Sequence, residues 1–418
     1  MRIVSKGRQT IGLDETTSRF CLSREEQMGA HTLMQRAQVA VCVMLAVFFM
    51  SSTGWATTYY VNAATGNDTN AGTSATAAWK TLQKAANTLG AGDTALVLTG
   101  TYAERVQVTK SGSANAPITY QATGTVVTRG FTLRASYITV TGFEMTNTLS
   151  SPPDGYGVYL EGQHCAVVNN YIHDLFFEGI RTAPQSGSNT IQNNRIYRAE
   201  MAGILVEGQN NVIDSNDISH TLQYPAGGPA RSGADADGIR FFGSGHIIRK
   251  NYIHAITLVD SENVSPHIDC FQTWSTASSI TFEQNKCILD YVTSGNIQVA
   301  MIEDIYGPVS NLVFKNNIFI GQYRGINSVS TGSGISGLTV KNNTFKNMAE
   351  EGVQLLHTTN SKVQYNVFSD VGKTGTSYLC MDAASRSSLI TGHNSVYMSD
   401  GSIPDTYCGK STPYPGDD

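Results

Sequence analysis

The segments AVVNNYIH (166–173), TIQNNRIY (190–197) and VIDSNDIS (212–219) share one pattern, in which a turn containing Asn joins two short apolar strands. Seven further segments repeat it: ITVTGFEM (138–145), IIRKNYIH (247–254), ITFEQNKCI (280–288), LVFKNNIFI (312–320), LTVKNNTF (338–345), KVQYNVF (362–368) and LITGHNSVY (389–397). The turns lie 22 to 35 residues apart. Repeats of this length are typical of solenoids.

Each repeat holds three short β runs and no amphipathic helix. This favours an all-β parallel β-helix of roughly ten coils, in which every strand pairs with the same strand one coil later. Asn tolerates the left-handed backbone conformation, and its amide can bond the Asn residues above and below. We therefore predict an architectural ladder at the turns, formed by Gly142, Asn170, Asn194, Asn216, Asn251, Asn285, Asn317, Asn343, Asn366 and Asn394.

The N-terminus has a different character. Residues 39–50, VAVCVMLAVFFM, form an apolar run that follows Arg36 and precedes the small-x-small site Gly54-Trp55-Ala56. This is the pattern of a secretory signal, and the run is too short to span a membrane comfortably. We predict that residues 1–56 are a signal peptide with an extended or mis-assigned start, that residues 57–410 form one β-helix domain, and that residues 411–418 are a flexible tail.

Loss of residues 1–56 removes six of the 28 basic and four of the 33 acidic residues, which leaves a net charge of −7. No basic block remains to recruit nucleic acid. The remaining cysteines are Cys165, Cys270, Cys287, Cys380 and Cys408. In an exported protein the pairs Cys270–Cys287 and Cys380–Cys408 are plausible disulfides, and buried thiols are the alternative.

A solenoid needs a cover at its ends. In WKTLQKAANTL (79–89), one helical face carries Trp79, Leu82, Ala86 and Leu89. We predict an N-terminal cap helix here, followed by a first coil over residues 94–108.

A Gly-apolar start aligns the strands that open successive coils. The aligned segments are YGVYLE (156–161), EGIRTA (178–183), AGILVE (202–207), DGIRFF (237–242), RGINSV (324–329) and EGVQLL (351–356), and DCFQTW (269–274) fits with Cys270 in the Gly place. Stacked coils lie about 4.8 Å apart, so aligned residues become neighbours. This predicts that Arg181 and Arg240 share an outward column with Gln272, in which we also place Gln298.

The same alignment predicts that Asp237 and Asp269 stack on the outer, solvent-facing side. Two carboxylates so close repel unless a proton, a cation or a base separates them, which indicates a functional site. Other polar groups near them in the predicted coils are Asp235, His254, His267, Glu303 and Asp304. Long insertions over 220–236, 255–266 and 289–310 fall in these coils and predict the walls of a cleft. Phe242 and Trp274 are suited to contact sugar rings there.

The stretches YYVNAATGNDTNAG (59–72), WKTLQKAANTL, GDTALVLTGTYAERV (92–106) and NAPITYQA (115–122) resemble the start of secreted right-handed β-helix polysaccharide lyases of the pectate-lyase-like superfamily and their relatives. This resemblance implies a carbohydrate-active enzyme. In pectate-lyase-like enzymes Asp carboxylates hold Ca²⁺ and a Lys or Arg removes the proton α to the uronate carboxyl. On that basis the metal ligands would come from Asp235, Asp237, Asp269, Glu303 and Asp304, and the base from Arg240, His267 or His254.

DADGIRFFGSGHIIRKNYI (235–253) and HIDCF (267–271) also resemble segments of polygalacturonases, with Asp237 and Asp269 in the places of two Asp residues of that family. Its later Gly-His-Gly and Arg-Ile-Lys motifs are missing. Ser265-Pro266-His267 resembles the Asp-Pro-His of mannuronate epimerases without its Asp.

The leading hypothesis is therefore a secreted, extracellular or periplasmic, Ca²⁺-assisted lyase that cleaves a uronate-containing glycan by β-elimination. A glycoside hydrolase with Asp237 and Asp269 as its carboxylate pair is the alternative, and a noncatalytic carbohydrate-binding or adhesin solenoid is the third. The expected substrate-binding residues are Trp274, Phe242, Gln272 and Arg181. We expect a monomer that binds a polysaccharide, binds no nucleic acid and keeps no membrane span once the signal is removed.

Overall fold

The computed structural model describes residues 56–146, 154–221, 236–256, 267–289, 297–321, 323–373 and 377–401. The predicted signal segment, apart from Ala56, and the predicted tail lie outside these ranges. Almost all of the regular structure consists of short parallel strands, so the predicted parallel β-helix is confirmed. No helix among the described residues is long and apolar enough to cross a membrane.

Four ladders of strands run along the solenoid. Sheet 1 comprises Val106–Val108, Phe131–Leu133, Val158–Leu160, Ile180–Thr182, Ala202–Val206, Asp237–Phe241, Ile268–Thr273, Ile297–Glu303, Arg324–Val329, Val353–Leu356 and Leu379–Met381. Sheet 2 comprises Thr58–Val61, Thr94–Tyr102, Ile118–Thr128, Ile138–Thr141, Ala166–Val168, Thr190–Gln192, Val212–Asp214, Ile247–Arg249, Thr281–Glu283, Val313–Lys315, Thr339–Lys341, Lys362–Gln364 and Ile390–Gly392.

Sheet 3 is joined to sheet 2 through the long strand Ile118–Thr128. It comprises Glu144–Met145, Tyr171–Leu175, Arg195–Ala199, Asp217–Ser219, Tyr252–His254, Lys286–Ile288, Ile318–Ile320, Thr344–Met348, Val367–Val371 and Ser395–Tyr397. Sheet 4 comprises the two-residue strands Gly243–Ser244, Ala277–Ser278, Val309–Ser310, Ile335–Ser336 and Thr358–Thr359. A typical coil passes through sheet 1, sheet 2, an Asn turn and sheet 3.

The Asn ladder is present between sheets 2 and 3. The side-chain amide of Asn216 donates to Asn251 Oδ1 at 2.9 Å, and that of Asn251 donates to Asn285 Oδ1 at 3.0 Å. The same bond joins each consecutive pair from Asn170 to Asn394, and these residues are buried. The stack satisfies polar groups inside the coil and fixes the coils in register.

The left-handed residue, however, is not the ladder Asn but the residue before it. Lys250, for example, has φ of 55°, and eight other residues in the equivalent place have similar values. The first turn shows the same offset, because Gly142 is the left-handed residue with φ of 81° and the next residue, Phe143, donates its backbone N–H to Asn170 Oδ1. Our assignment of Gly142 to the ladder was therefore wrong by one position.

The N-terminal cap helix spans Leu82–Thr88, and the Thr81 hydroxyl accepts from the Lys84 amide at its start. Trp79 precedes the helix and forms a β-bridge with Val61, so it does not belong to the helical face that we predicted. A 3₁₀ turn over Ala75–Ala77 and a short helix over Ala383–Arg386 are the other helical elements described.

A small residue turns each coil into sheet 1. A Cβ on Gly238 would lie 2.6 Å from Ile253 Cγ2 in the core, so this position points inward and admits almost no side chain. The Asp237 and Arg240 side chains therefore emerge on the same outer face, although simple alternation over the strand would separate them. One coil later Cys270 takes the Gly place, and Cys287 replaces the opposing Ile.

Cys270 and Cys287 form the predicted disulfide. Cys380 is also disulfide-bonded, whereas its predicted partner Cys408 lies outside the described residues. Cys165 is a buried free thiol.

We predict that Asn251→Ala lowers the free energy of unfolding by about 4 kcal/mol, because it leaves the Asn216 amide groups and the Ile213 carbonyl without their buried partners. The midpoint of urea denaturation measures this. The control is Asn87→Ala on the exposed face of the cap helix, where we expect a change below about 1 kcal/mol. Equal effects of the two substitutions would contradict a structural role for the ladder.

A second ladder of polar side chains ends at a histidine. Asn189 Oδ1 accepts from the Cys165 backbone N–H, and Asn211 Oδ1 accepts from the Asn189 backbone N–H one coil later. The Asn211 backbone N–H then donates to Nδ1 of the buried His246. His246 Nε2 donates to the Phe242 carbonyl at 2.7 Å, which fixes the neutral tautomer. Burial lowers the pKa of His246 to about 4, although the bond to Phe242 opposes this.

The unfolded chain therefore takes up a proton at this histidine before the folded chain does. Stability is fully present above pH 6.5, decreases as the pH falls toward 4, and loses up to about 3 kcal/mol from this group. We predict that His246→Asn removes that slope from the pH dependence of urea denaturation. Asn87→Ala, on the exposed face of the cap helix, should leave it unchanged. An unaltered slope in His246→Asn would refute the assignment.

Candidate active site

The outer face of sheet 1 carries the predicted column of side chains. Arg181 pairs with Leu205, Leu205 with Arg240, and Arg240 with Gln272, so the aligned frame is confirmed in these coils. Met301 continues the column, whereas Gln298 pairs with Asp269. Our placement of Gln298 was therefore wrong, because the segment around it lacks the Gly-apolar start that fixes the frame elsewhere.

Asp237 and Asp269 occupy adjacent rungs, as predicted, but they do not face solvent. Both have 0% exposure. Asp237 Oδ1 accepts from the Asp269 backbone N–H at 3.2 Å, and Oδ2 accepts from Arg240 Nε at 2.6 Å. The Asp237 carboxylate thus caps the next coil and neutralises Arg240, which accounts for its burial.

Arg240 lies over Trp274, with its guanidinium carbon 5.3 Å from the ring centre. Phe242 meets the same ring edge-on at 4.8 Å. These three residues, Arg181 and the 76% exposed Tyr306 line a cavity of about 730 Å³. We call this cavity the groove. Gln272, Asp237 and Asp269 do not line it within the described chain, and Gln272 is buried.

The groove also contains two carboxylates outside our leading candidates, Glu178 and Glu207. Arg181 lies between them. Its Nη1 is 3.9 Å from Glu178 Oε1, and its Nη2 is 3.4 Å from Glu207 Oε2. Nη1 also donates to the Tyr156 hydroxyl at 3.3 Å.

Burial raises the pKa of Glu207; Arg181 opposes this shift, and Glu178 adds to it. The aligned frame contained the signal for Glu178, because Glu178-Gly-Ile-Arg181 repeats the pattern Asp237-Gly-Ile-Arg240. Glu207 ends the segment AGILVE and follows its strand as Glu161 follows Val158–Leu160.

The remaining predicted residues lie elsewhere. His254 is on sheet 3, where its Nε2 is 2.9 Å from Asp217 Oδ1, and it does not line the groove. His267 is exposed just before its strand. Glu303 ends the strand Ile297–Glu303 and is half-buried.

Asp304 closes a turn instead of binding at the groove. Its carboxylate accepts hydrogen bonds from the Ser330 hydroxyl and from the amides of Thr331, Gly332 and Gly334. Burial alone would raise the pKa of Asp304, but these bonds outweigh it and the pKa is lowered.

The residues predicted to hold Ca²⁺ do not converge in the described chain. Asp304 is occupied by four donors and Asp237 by Arg240, and no group of three His, Cys, Asp or Glu residues suited to a metal occurs within the described ranges. Asp235 lies outside them.

Residues 129–301 match the family model of the right handed beta helix region. Over 80 residues, 18% of this chain, the sequence is 44% identical to a lacto-N-biosidase of Bifidobacterium longum subsp. longum, and the match spans 5% of that protein. Several solved structures share the fold. A GH136 lacto-N-biosidase from Eubacterium ramulus has a TM-score of 0.55 and 12% identity over 82% of this chain and 68% of its own.

A PL6 family polysaccharide lyase from Pseudopedobacter saltans has a TM-score of 0.53 and 14% identity over 79% of this chain and 85% of its own. These likenesses confirm the right-handed parallel β-helix and the predicted fold-level resemblance to β-helix polysaccharide lyases. They include both a biosidase and a lyase, so the fold alone does not select a reaction.

We predict that Asp237→Asn lowers the free energy of unfolding by about 3 kcal/mol, because the buried Arg240 loses this anionic partner. Urea denaturation measures the loss. Glu161→Gln is the matched control, since Glu161 pairs with a half-exposed Arg134 at 3.4 Å and should contribute at most about 1 kcal/mol. An Asp237→Asn effect no larger than that of Glu161→Gln would contradict the buried ion pair.

Proposed function

We propose that this chain is a carbohydrate-active enzyme that binds a glycan in the groove over sheet 1 and cleaves it. The observation that carries this proposal is the cavity of about 730 Å³ in which exposed aromatic surface and carboxylates occur together. Aromatic rings suit the apolar faces of sugars, and carboxylates supply acid–base chemistry. The names of the structural neighbours support the same substrate class.

Hydrolysis of a glycosidic bond is the better supported reaction. The two arginines of the groove are already paired with carboxylates, Arg181 with Glu178 and Glu207 and Arg240 with Asp237. These pairs leave the described groove with no excess of positive charge to hold a polyanionic chain. A neutral glycan avoids the repulsion that a uronate polymer would meet there.

Ca²⁺-assisted β-elimination of a uronate-containing glycan is the second candidate. It is favoured by the name of one structural neighbour, the PL6 family polysaccharide lyase. Arg240, one of the predicted bases, lines the groove but is ion-paired with Asp237.

A glycan screen with two readouts separates these functions. The purified chain is incubated with pectate, alginate, glycosaminoglycans and neutral glycans, with and without a chelator. Hydrolysis should release reducing ends without ultraviolet absorbance and should continue in the chelator. Elimination would produce an absorbing unsaturated end and, if Ca²⁺ is required, would stop in the chelator. Glycan binding without any product would contradict an enzyme and support a noncatalytic solenoid.

We also infer that the chain acts outside the cytosol. The Cys270–Cys287 disulfide suits an oxidising compartment, and the apolar run at 39–50 suits export. N-terminal sequencing of the protein recovered from the culture medium or periplasm tests this; a cytosolic chain that retains residue 1 would contradict it.

We predict that Tyr306→Ala weakens glycan binding about tenfold, since it removes an exposed ring from the groove wall. Titration calorimetry with a glycan identified in the screen measures the change. Tyr397→Ala removes a ring that is 62% exposed on sheet 3, away from the groove, and should leave binding unchanged. If both substitutions weaken binding alike, the groove is not the binding site.

A further inference from the structure

We infer that Glu207 and Glu178, and not Asp237 and Asp269, are the reacting carboxylates of the groove, with Glu207 as the general acid and Glu178 as the base that activates water. The inference rests on the proposed function and deepens it. It concerns hydrolysis of a glycosidic bond in the groove, for which one proton donor and one proton acceptor are needed.

The two acid-Gly-Ile-Arg segments, 178–181 and 237–240, show why Glu178 lines the groove and Asp237 does not. In both, the acid and the Arg three residues later emerge on the outer face. The two carboxylate oxygens of Asp237 accept hydrogen bonds from Arg240 and from the Asp269 backbone N–H. Glu178 has one methylene more and lines the groove.

Glu178 is placed as a base requires. It is 2% exposed, and no hydrogen-bond partner for its Oε2 lies among the described residues. A buried carboxylate oxygen without a donor is costly in a folded protein, and a proton taken up by the carboxylate would reduce that cost. The nearest cation contacts the other oxygen, Oε1, at 3.9 Å.

Glu207 is placed as an acid requires. Its side chain is 20% exposed at the groove, and its pKa is raised by burial. The charged and titratable groups around it are Arg181, Glu178 and Tyr159. The guanidinium of Arg181 lies between the two carboxylates and forms an ion pair with each of them.

The proposed step balances in atoms and protons. The water oxygen bonds to the anomeric carbon while its proton passes to Glu178. The bond from that carbon to the bridging oxygen breaks, and this oxygen takes the proton of Glu207. Glu178 then releases its proton to solvent, and Glu207 takes up a proton from solvent, which restores the starting state.

The test compares Glu207→Gln and Glu178→Gln with wild type and with Glu161→Gln, a matched carboxylate on the same face that is ion-paired but does not line the groove. The substrate is the glycan that wild type cleaves in the screen. We expect kcat to fall about 10²- to 10⁴-fold in each groove variant with little change in KM, and Glu161→Gln to keep wild-type activity. Melting temperatures check that each variant folds.

Two further readouts separate a catalytic role from a structural one. Activity of wild type should decline as the pH rises through the pKa of Glu207, and Glu207→Gln should lose that decline. An aryl glycoside of the released sugar needs little protonation to leave, so it should restore the rate of Glu207→Gln but not that of Glu178→Gln. If Glu178→Gln does not fold, Glu178→Asp, which withdraws the carboxylate, should show the same loss.

The failures are distinguishable. If wild type cleaves no glycan in the screen, the proposed function fails and this inference fails with it. If wild type cleaves a glycan and both groove variants retain its kcat, the inference alone is overturned. Loss of activity in folded Asp269→Asn, with full activity in Glu207→Gln and Glu178→Gln, would return the catalytic role to the aspartate pair.

Discussion

The stack of buried asparagines between sheets 2 and 3 is the interaction on which the rest of the molecule depends. Each amide is both donor and acceptor along the solenoid axis, so a coil cannot slip by one residue without breaking bonds above and below it. Because this stack sets the register of the whole coil, it also sets the register of sheet 1. Arg181 and Arg240 are thereby brought two coils, or about 10 Å, apart although 59 residues separate them in sequence.

The fold and the main column of the site could be predicted because both follow from a visible period. The Asn turn and the Gly-apolar start both recur in the sequence, and each has one structural reason. The Asn is needed for the stacked side-chain amides, and the Gly is needed because its position points inward and has no room for a side chain. The prediction was wrong where the period is interrupted. Gln298 lies in a segment without the glycine. The left-handed residue is the one before the ladder Asn, because the backbone N–H of that Asn also donates to the next Asn of the stack.

The burial of the Asp237 and Asp269 side chains could not be predicted from the sequence period. Register places Asp237 beside Asp269, but whether a carboxylate projects into a groove or folds back is decided by local donors. Asp237 finds two of them, the Arg240 guanidinium and the Asp269 amide, at hydrogen-bonding distance, and is fully buried as a result. From the sequence we assigned the stacked carboxylates a catalytic role, because two adjacent negative charges repel each other. In the structure the positive charge of Arg240 compensates this repulsion.

The supply of cationic partners also explains why the groove carboxylates, Glu178 and Glu207, differ from Asp237 in their ion pairing. Arg181 has to serve Glu178, Glu207 and the Tyr156 hydroxyl at once, and its contacts to the two carboxylates, at 3.9 and 3.4 Å, are longer than the 2.6 Å bond between Arg240 and Asp237. A shared and distant cation stabilises each carboxylate less than a dedicated one does. Burial therefore prevails at Glu207 and raises its pKa. The acid-Gly-Ile-Arg pattern thus occurs twice, once with an aspartate bound to its own arginine and once with a glutamate that lines the groove.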